Sequence, residues 1–165
     1  MANLTDNQFH SAIIGCGNPN RRDDGAGPHV INILNSYELP KHIGVFDAGT
    51  DGMAVLYRAR GIKQLIIVDA RIPEGNAGAI FEVPGEVLSA PPPQSLNLHD
   101  FRWDHALFAG RKIYKEDFPQ DVHVFLIEAD SLDLGIGLSD PVAKSAKIVA
   151  DKICRLVTEN RKMSQ

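Results

Sequence analysis

The sequence predicts a three-layer α/β/α sandwich around a five-stranded sheet that is mixed but mostly parallel. Short apolar segments alternate with amphipathic helical segments along most of the chain, an order that is typical of α/β proteins. Residues 65–68 form an unbroken aliphatic run, as expected of a central strand that helices cover on both faces. The loop after residue 70 is too short to hold a crossover helix, so the fourth strand should run antiparallel to the third.

The first half of the chain contains strands and helices in regular alternation. Each strand is a short apolar run, and the first ends at Gly15 and Cys16. Asp23 and Asp24 precede the apolar stripe of the first helix, where Asp commonly caps the N-terminus. In order, the predicted elements are a strand at 12–16, a helix at about 25–36, a strand at 43–48, a helix at about 52–60 and a strand at 65–70.

The second half adds further strands and helices, separated by a proline-rich stretch. Residues 84–98 combine Pro with Ser, Gly and Asn, a composition that favours a functional loop over a helix or a strand. The last helix should have Asp140 as its N-cap and Pro141 as its first helical residue. The predicted elements are a strand at 79–83, a helix at about 100–113, a strand at 122–127 and a final helix whose apolar stripe reaches Val157.

Composition limits the possible functions. With 165 residues, 44% of them hydrophobic, the chain is expected to form one domain, residues 1–165, with a sizeable core. The net charge of −4, without long basic runs, disfavours binding to the phosphate backbone of nucleic acids. The sequence has no membrane-spanning apolar run and no signal-peptide pattern, so we expect a cytoplasmic protein without a membrane partner. Cys16 and Cys154 should stay reduced there, and Cys16 is expected to be a buried thiol, not a nucleophile.

Three polar residues are predicted to meet at the carboxyl edge of the sheet, where α/β proteins collect their functional groups. Asp24 lies just beyond the first strand, Asp69 ends the third strand, and His99 follows the proline-rich stretch. A carboxylate at the end of such an apolar strand needs a cation or hydrogen-bond donors to offset its desolvation. Two carboxylates and one imidazole nitrogen suit divalent nickel, zinc or cobalt.

Each of these residues also has a structural interpretation. Asp23 and Asp24 are equally consistent with helix caps. Asp69 is consistent with a carboxylate that accepts hydrogen bonds from backbone amides of the next loop. His99 taken alone favours a loop or capping histidine, and His105 is a rival metal ligand. The residues by themselves leave a metal-contact site and a structural role both open.

A glycine-rich turn follows the first strand. It begins like a dinucleotide-binding fingerprint, but Asn20 stands where the third glycine belongs, and no Gly-Lys-Ser/Thr follows to make a phosphate-binding loop. The glycines are better explained by a tight, close-packed turn that carries Asp24 across the top of the sheet. The turn reads Gly15-Cys16-Gly17-Asn18-Pro19-Asn20.

Three motifs stand together in the first half of the chain. They read Gly15-Cys16-Gly17-Asn18 with Asp23-Asp24-Gly25-Ala26-Gly27, then Asp47-Ala48-Gly49-Thr50-Asp51-Gly52, then Ile66-Ile67-Val68-Asp69-Ala70. These motifs resemble those of the hydrogenase maturation endopeptidases, and Gly78, just before the fourth strand, is a weaker match. The resemblance covers residues from about 12 to 157.

The resemblance implies an endopeptidase that removes the C-terminal extension of a nickel-iron hydrogenase large-subunit precursor once nickel has been installed. It implies that Asp24, Asp69 and His99 contact nickel that the precursor carries, and that Asp24 and Asp69 are the catalytic residues of an aspartyl-type enzyme. His99 matches the family's histidine better than His105, because it keeps the family's distance to the apolar residue Leu107. The nickel would hold the scissile peptide bond near these side chains.

Two segments depart from the family pattern. Arg21 and Arg22 make the first loop unusually basic, next to Asn20 in place of an apolar residue. Residues 102–104, Arg-Trp-Asp, are bulkier and more charged than the family's usual Gly-Leu run.

A non-enzymatic nickel-binding chaperone with the same three ligands is the alternative function. It stays open because the chain has no Gly-x-Ser-x-Gly elbow, no His-Glu-x-x-His helix and no paired Asp-Thr/Ser-Gly motifs. A precursor-processing assay separates the two functions, since only a protease shortens the subunit.

Overall fold

The computed structural model describes residues 9–85 and 102–163. Within these ranges the strands and helices follow the order that the sequence predicts. The strands are Ser11–Cys16 (β1), Ile43–Gly49 (β2), Gln64–Arg71 (β3), Ile80–Pro84 (β4) and Asp121–Glu128 (β5). The α-helices are Ala26–Asn35 (α1), Gly52–Ala59 (α2), Trp103–Tyr114 (α3) and Asp140–Met163 (α4), and short 3-10 helices span Arg22–Gly25 and Lys115–Asp117. None of the helices in the described ranges has both the length and the apolar composition that crossing a membrane requires.

The strands form one sheet in the order β2-β1-β3-β5-β4. β1 pairs in parallel with β2 and β3, β3 pairs in parallel with β5, and β4 pairs antiparallel with β5. The predicted mixed, mostly parallel sheet is therefore confirmed, and β4 runs opposite to β3 as expected. β5 lies between these two strands. The burial of the two strands agrees with these positions, since β5 is mostly buried and β4, at the edge, is partly exposed.

Helices cover both faces of the sheet, which confirms the three-layer arrangement. α1 and α4 pack on one face, and α2 and α3 on the other. β3 supplies both cores, because alternate side chains of a strand point to opposite faces. Ile66 and Val68 belong to the first core and Leu65 and Ile67 to the second, and all four are 0% exposed. Each such side chain contributes about 1.5–3 kcal/mol of burial free energy.

α4 begins one residue earlier than the sequence predicts. The Ser139 carbonyl accepts a helical hydrogen bond from the Ala143 N–H at 2.9 Å, so Ser139 occupies the N-cap position and Asp140 is the first helical residue. The prediction of Asp140 as N-cap is therefore wrong. Ser139 takes this position because Asp23, far away in sequence, accepts hydrogen bonds from its N–H and its hydroxyl.

The stretch before α3 lies mostly outside the described residues. α3 itself agrees with the predicted helix at about 100–113, since it starts at Trp103 and ends at Tyr114. Of the proline-rich stretch, only residues 84 and 85 are described. His99, the predicted third metal ligand, lies outside the described residues.

Candidate active site

A cleft with a volume of about 200 Å³ lies at the carboxyl edge of the sheet. The turn after β1, the end of β3, the loop between β2 and α2 and the start of α3 form its walls. Asp24 and Asp69, the predicted catalytic carboxylates, both line it. The structure thus brings together two of the three residues that the sequence singled out.

Close backbone packing carries Asp24 to the cleft. Gly17 has a φ of +134°, and a Cβ added there would lie 1.9 Å from the backbone oxygen of Asp24. A Cβ added at Gly27 would lie 2.3 Å from the Cys16 carbonyl oxygen, so α1 packs directly against the end of β1. Only glycine permits both approaches. The predicted role of the glycines, a tight turn across the top of the sheet, is confirmed.

Asp24 is half-buried, and its carboxylate stabilises the glycine turn. Its Oδ2 accepts a hydrogen bond from the Asn18 N–H at 2.7 Å. Neither the 3-10 helix Arg22–Gly25 nor α1 has a side-chain hydrogen bond from its N-cap residue, and these N-caps are Arg21 and Gly25. The interpretation of Asp24 as a helix cap is therefore wrong, because its side chain turns toward the β1 loop.

Asp23 has a different, structural role. It is 1% exposed. Its Oδ1 accepts the Ser139 N–H at 2.7 Å, and its Oδ2 accepts the Asp130 N–H and the Ser139 hydroxyl, both at 2.8 Å. A longer bond of 3.4 Å comes from the Ser131 N–H. Asp23 therefore ties the loop between β5 and α4 to the loop that carries Asp24.

Asp69 is the buried carboxylate of the cleft. Its Oδ1 accepts the Ala70 N–H at 2.8 Å. Its Oδ2 accepts Trp103 Nε1 at 2.8 Å and Arg102 Nη2 at 3.0 Å. The alternative interpretation, a carboxylate held by backbone amides, accounts for one of these donors, and the start of α3 supplies the other two.

Burial dominates the ionisation of Asp69. It raises the pKa of this carboxyl from 3.8 to about 6, although Arg102, Trp103 and the Ala70 N–H all act to lower it. Asp69 thus changes its charge close to neutral pH, as functional carboxylates often do.

Cys16 forms part of the cleft wall as a buried thiol, which is the predicted role. It is 7% exposed. Burial, and after it the charge of Asp69, raises the pKa of the thiol far above its usual range. A thiol that resists ionisation is a poor nucleophile.

His105, the rival ligand, belongs to the first turn of α3. Its Nδ1 lies 3.4 Å from the Arg102 backbone nitrogen, which donates to it, and 3.1 Å from Asp104 Oδ1. It is not among the residues that line the cleft. Among the described residues, no three His, Cys, Asp or Glu side chains come together as a metal site.

Sequence reasoning missed several cleft residues. Arg102 and Trp103 were visible only as a departure from the family pattern, and nothing in their spacing links them to Asp69. Thr50 and Asp51, which belong to the second motif but received no role from the sequence, line the cleft from the loop before α2. Asp51 had a local signal, because it precedes a helix and caps it by accepting the N–H groups of Met53 and Ala54.

Two sequence relatives of this chain are described as hydrogenase maturation proteases. The profile of the HycI hydrogenase maturation protease family matches residues 28–156, a range that includes Asp69 and begins just after Asp24. The chain is 29% identical over 140 residues to a putative hydrogenase maturation protease of Methanocaldococcus jannaschii, over 81% of this chain and 86% of the relative. It is 26% identical over 155 residues to the hydrogenase 2 maturation protease of Escherichia coli, over 90% of each chain.

A solved structure has the same fold. The hydrogenase maturating endopeptidase HybD of E. coli superposes with a TM-score of 0.77 at 22% sequence identity, over 92% of this chain and 94% of that chain. The overall fold therefore agrees with that of a known protein. Because the family profile covers most of the residues, this chain belongs to the hydrogenase maturation protease family, a family of endopeptidases.

Proposed function

We propose that this endopeptidase removes the C-terminal extension of a nickel-iron hydrogenase large-subunit precursor that has already received its nickel. The observation that carries the proposal is the meeting of Asp24 and Asp69 in one cleft at the carboxyl edge of the sheet. Family membership supplies the class of substrate. The two carboxylates supply the oxygen ligands that a divalent cation accepts.

Nickel is part of the substrate in this proposal. Asp24 and Asp69 contact it through carboxylate oxygens, and His99 through an imidazole nitrogen. Three such ligands leave coordination positions for the precursor's own groups. Asp69 is 2% exposed, and a charge in so dry an environment attracts a cation much more strongly than the same charge in water. Recognition of the metal therefore requires the precursor to enter the cleft.

Asp24 and Asp69 are also the proposed catalytic residues of an aspartyl-type hydrolysis. Peptide hydrolysis needs a group that takes a proton from the attacking water and a donor that returns one to the leaving nitrogen. Asp24 is half-buried on the cleft wall, within reach of solvent, and is the proposed base. The proton that it takes from the attacking water is the one that it then donates to the leaving nitrogen. Asp69, which the Ala70 N–H, Trp103 and Arg102 hold in place in the free protein, contacts the metal centre of the bound precursor and fixes the scissile bond beside it.

A processing assay tests this function. Nickel-loaded and metal-free precursor are incubated in parallel with the protein, and the products are weighed by mass spectrometry. We expect only the nickel-loaded form to be shortened, at one uniform bond, because one bound metal brings one bond within reach. Asp24→Asn and Asp69→Asn should each slow processing by about 100-fold or more. Asp117→Asn, an exposed carboxylate in the 3-10 helix Lys115–Asp117, is the matched control and should leave the rate unchanged.

Two outcomes would contradict the proposal. Equal shortening of the two precursor forms would remove nickel recognition from the mechanism. Binding of the loaded precursor without any shortening would favour the alternative, a maturation chaperone that contacts nickel but does not cut.

The setting of the reaction also stays a prediction. We propose one domain, residues 1–165, that acts in the cytoplasm on its precursor without a nucleic-acid or membrane partner. A single unfolding transition in calorimetry tests the domain assignment. Fractionation of cells together with the precursor tests the location.

A further inference from the structure

Arg102 brings a positive charge onto the buried carboxylate of the cleft. Its Nη2 donates to Asp69 Oδ2 at 3.0 Å, and Trp103 Nε1 donates to the same oxygen at 2.8 Å. Both residues lie at the start of α3, with Arg102 at the N-cap position. The other oxygen, Oδ1, accepts the backbone N–H of Ala70. Oδ2 of Asp69 thus accepts hydrogen bonds from a charged donor and a neutral donor at the same time.

The two partners of this ion pair are buried to very different degrees. The side chain of Arg102 is 62% exposed, whereas that of Asp69 is 4% exposed. Arg102 reaches inward from solvent, so withdrawal returns its guanidinium to water. Asp69 lies at the end of β3 in the interior of the sheet and cannot follow. The pair is therefore able to open from the side of the arginine alone.

The charges around Arg102 favour a cation at its position. Partial burial acts to lower the pKa of its guanidinium, but the carboxylates of Asp69, Asp104 and Asp24 raise this pKa overall. A cleft with such a negative potential also attracts free divalent ions. A protein that must recognise a metal within a substrate needs a way to keep free ions off the same carboxylates.

We infer that Arg102 is a specificity residue that competes with metal cations for Asp69. Its guanidinium and Trp103 Nε1 both donate to Asp69 Oδ2, so a metal cation gains this oxygen only by displacing a donor. Arg102 is the donor whose exposed side chain is able to withdraw into water. A free ion has little to offset the displacement, whereas a metal centre inside a precursor brings the contacts of the surrounding protein as well. Arg102 thereby favours the loaded substrate over free ions. The inference rests on the proposed function only for the identity of that substrate.

Titration of the isolated full-length protein with Ni²⁺ alone tests this competition. In isothermal titration calorimetry, Arg102→Gln should bind Ni²⁺ about tenfold more tightly than the wild type, since a competing charged hydrogen bond is gone. Arg102→Met, which keeps the aliphatic stem without the charge, should show the same gain. Arg102→Lys retains the charge and should stay close to the wild type. Arg155→Gln, an exposed arginine of α4 outside the cleft lining, is the matched control.

Two more variants attribute the effect to the charge of Arg102 and to Asp69. Trp103→Phe removes the neutral donor but keeps an aromatic ring, so Ni²⁺ affinity should change by less than about threefold. The double variant Arg102→Gln/Asp69→Asn should lose the gain, because the carboxylate that Arg102 protects is absent. In the processing assay, Arg102→Gln should be about tenfold more sensitive to inhibition by free Ni²⁺. A purely structural role for Arg102 would not move this inhibition constant.

Several results would overturn the inference. Unchanged Ni²⁺ affinity in folded Arg102→Gln and Arg102→Met would show that Arg102 does not compete with metal, and an equal gain in Trp103→Phe would show that its charge is not decisive. The proposed function fails separately. If the affinity rises as expected while no form of the protein shortens the precursor, competition at Asp69 is supported and the peptidase assignment is not.

Discussion

Asp23 and Asp24 are adjacent in the sequence, but Asp23 has a structural role whereas Asp24 is the proposed base. Asp23 is 1% exposed, and its oxygens accept hydrogen bonds from Asp130, Ser131 and Ser139. Asp24 stabilises the glycine turn through one hydrogen bond and lines the cleft. A single residue step along the 3-10 helix Arg22–Gly25 points their carboxylates in different directions. Variants of the two residues should therefore fail in different ways.

Asp23→Asn should destabilise the fold more than Asp24→Asn. An amide group in place of Asp23 turns N–H groups toward backbone N–H donors, and buried donors that lose their acceptor cost about 3 kcal/mol. The same change at half-buried Asp24 should cost about 1 kcal/mol or less. Denaturant unfolding measures both free energies, and equal losses in the two variants would contradict this division of roles.

Asp69 should make the stability of the isolated protein depend on pH. Burial raises the pKa of its carboxyl from 3.8 to about 6 in the folded state. The folded state then binds this proton more tightly than the unfolded state. The resulting stabilisation is complete below pH 3.8 and is lost as the pH rises through about 6. A shift of about two units corresponds to about 3 kcal/mol.

Asp69→Asn has no proton to lose, so it provides the reference. Between about pH 4 and pH 7 the unfolding free energy of the wild type should fall by about 3 kcal/mol relative to that of the variant. Above that range the difference between the two should stay constant. Denaturant unfolding at a series of pH values measures this difference. A difference that does not vary with pH would mean that Asp69 has an ordinary pKa.

Among the secondary-structure elements, the starts of α1 and α3 shape the cleft. Gly27, in the first turn of α1, allows the helix to touch the end of β1 and β3. The start of α3 supplies Arg102 and Trp103, whose donors hold Asp69. The cleft therefore depends on how closely two helices approach the carboxyl edge of the sheet.

Gly27→Ala should force α1 away from the sheet. The added Cβ would lie 2.3 Å from the Cys16 carbonyl oxygen and 2.6 Å from that of Val68, and backbone atoms cannot move aside as a flexible side chain can. We expect a loss of about 2–3 kcal/mol in thermal or denaturant unfolding. Gly75→Ala is the control, since nothing lies within 4 Å of its added Cβ and only its φ of +94° is unfavourable. Any loss in the control reflects its backbone conformation and not packing. If Gly27→Ala is as stable as the wild type, close packing is not the reason for Gly27.

The proposal of His99 as the third ligand can be tested by comparing two histidine variants. His99→Ala should abolish processing, since it removes the proposed imidazole contact to nickel. His105→Ala should largely retain processing and lose about 1 kcal/mol of stability, because His105 helps to organise the first turn of α3 through the Arg102 N–H. The processing assay and an unfolding curve of each variant measure these effects. The reverse order of activities would make His105 the ligand.

In the molecule as a whole, apolar cores stabilise the fold, and the proposed chemistry belongs to the cleft. The described apolar side chains form two cores, one on each face of the sheet. The cleft lies at the carboxyl edge, where the loops meet and where Asp24 and Asp69 are available. A fold that rests on apolar burial has no need of a bound ion for its stability.

Removal of metal should therefore leave the fold intact. After extensive dialysis the isolated protein should retain much less than one nickel ion per chain, since the three proposed ligands leave open positions and would hold a free ion weakly. A chelator should leave the melting temperature unchanged within about 1 °C, because a weakly bound ion adds little stability by mass action. Elemental analysis and calorimetry measure these quantities. Stoichiometric metal that survives dialysis, with unfolding on its removal, would indicate a structural metal site.

The sequence by itself determined the order of the strands and helices and the position of Asp24 and Asp69 at one edge of the sheet. The aliphatic run of β3 and the apolar stripe of α4 are local patterns. The spacing of their apolar residues follows the repeat with which the side chains of a strand or a helix face the core. Asp24 and Asp69 could be predicted as neighbours because parallel strands end at the same edge of a sheet. The glycine turn could be predicted from its spacing.

Only the tertiary structure decided which distant groups meet. The choice of β5 as the partner of β4 depends on competition between strands for the interior of the sheet. The bonds of Asp23 to the loop before α4, and of Arg102 and Trp103 to Asp69, join segments that are remote along the chain. No local periodicity encodes such contacts, because they arise from the positions at which packed helices and loops begin. The contact of the Arg102 guanidinium with Asp69 exists only because α3 packs against the end of β3.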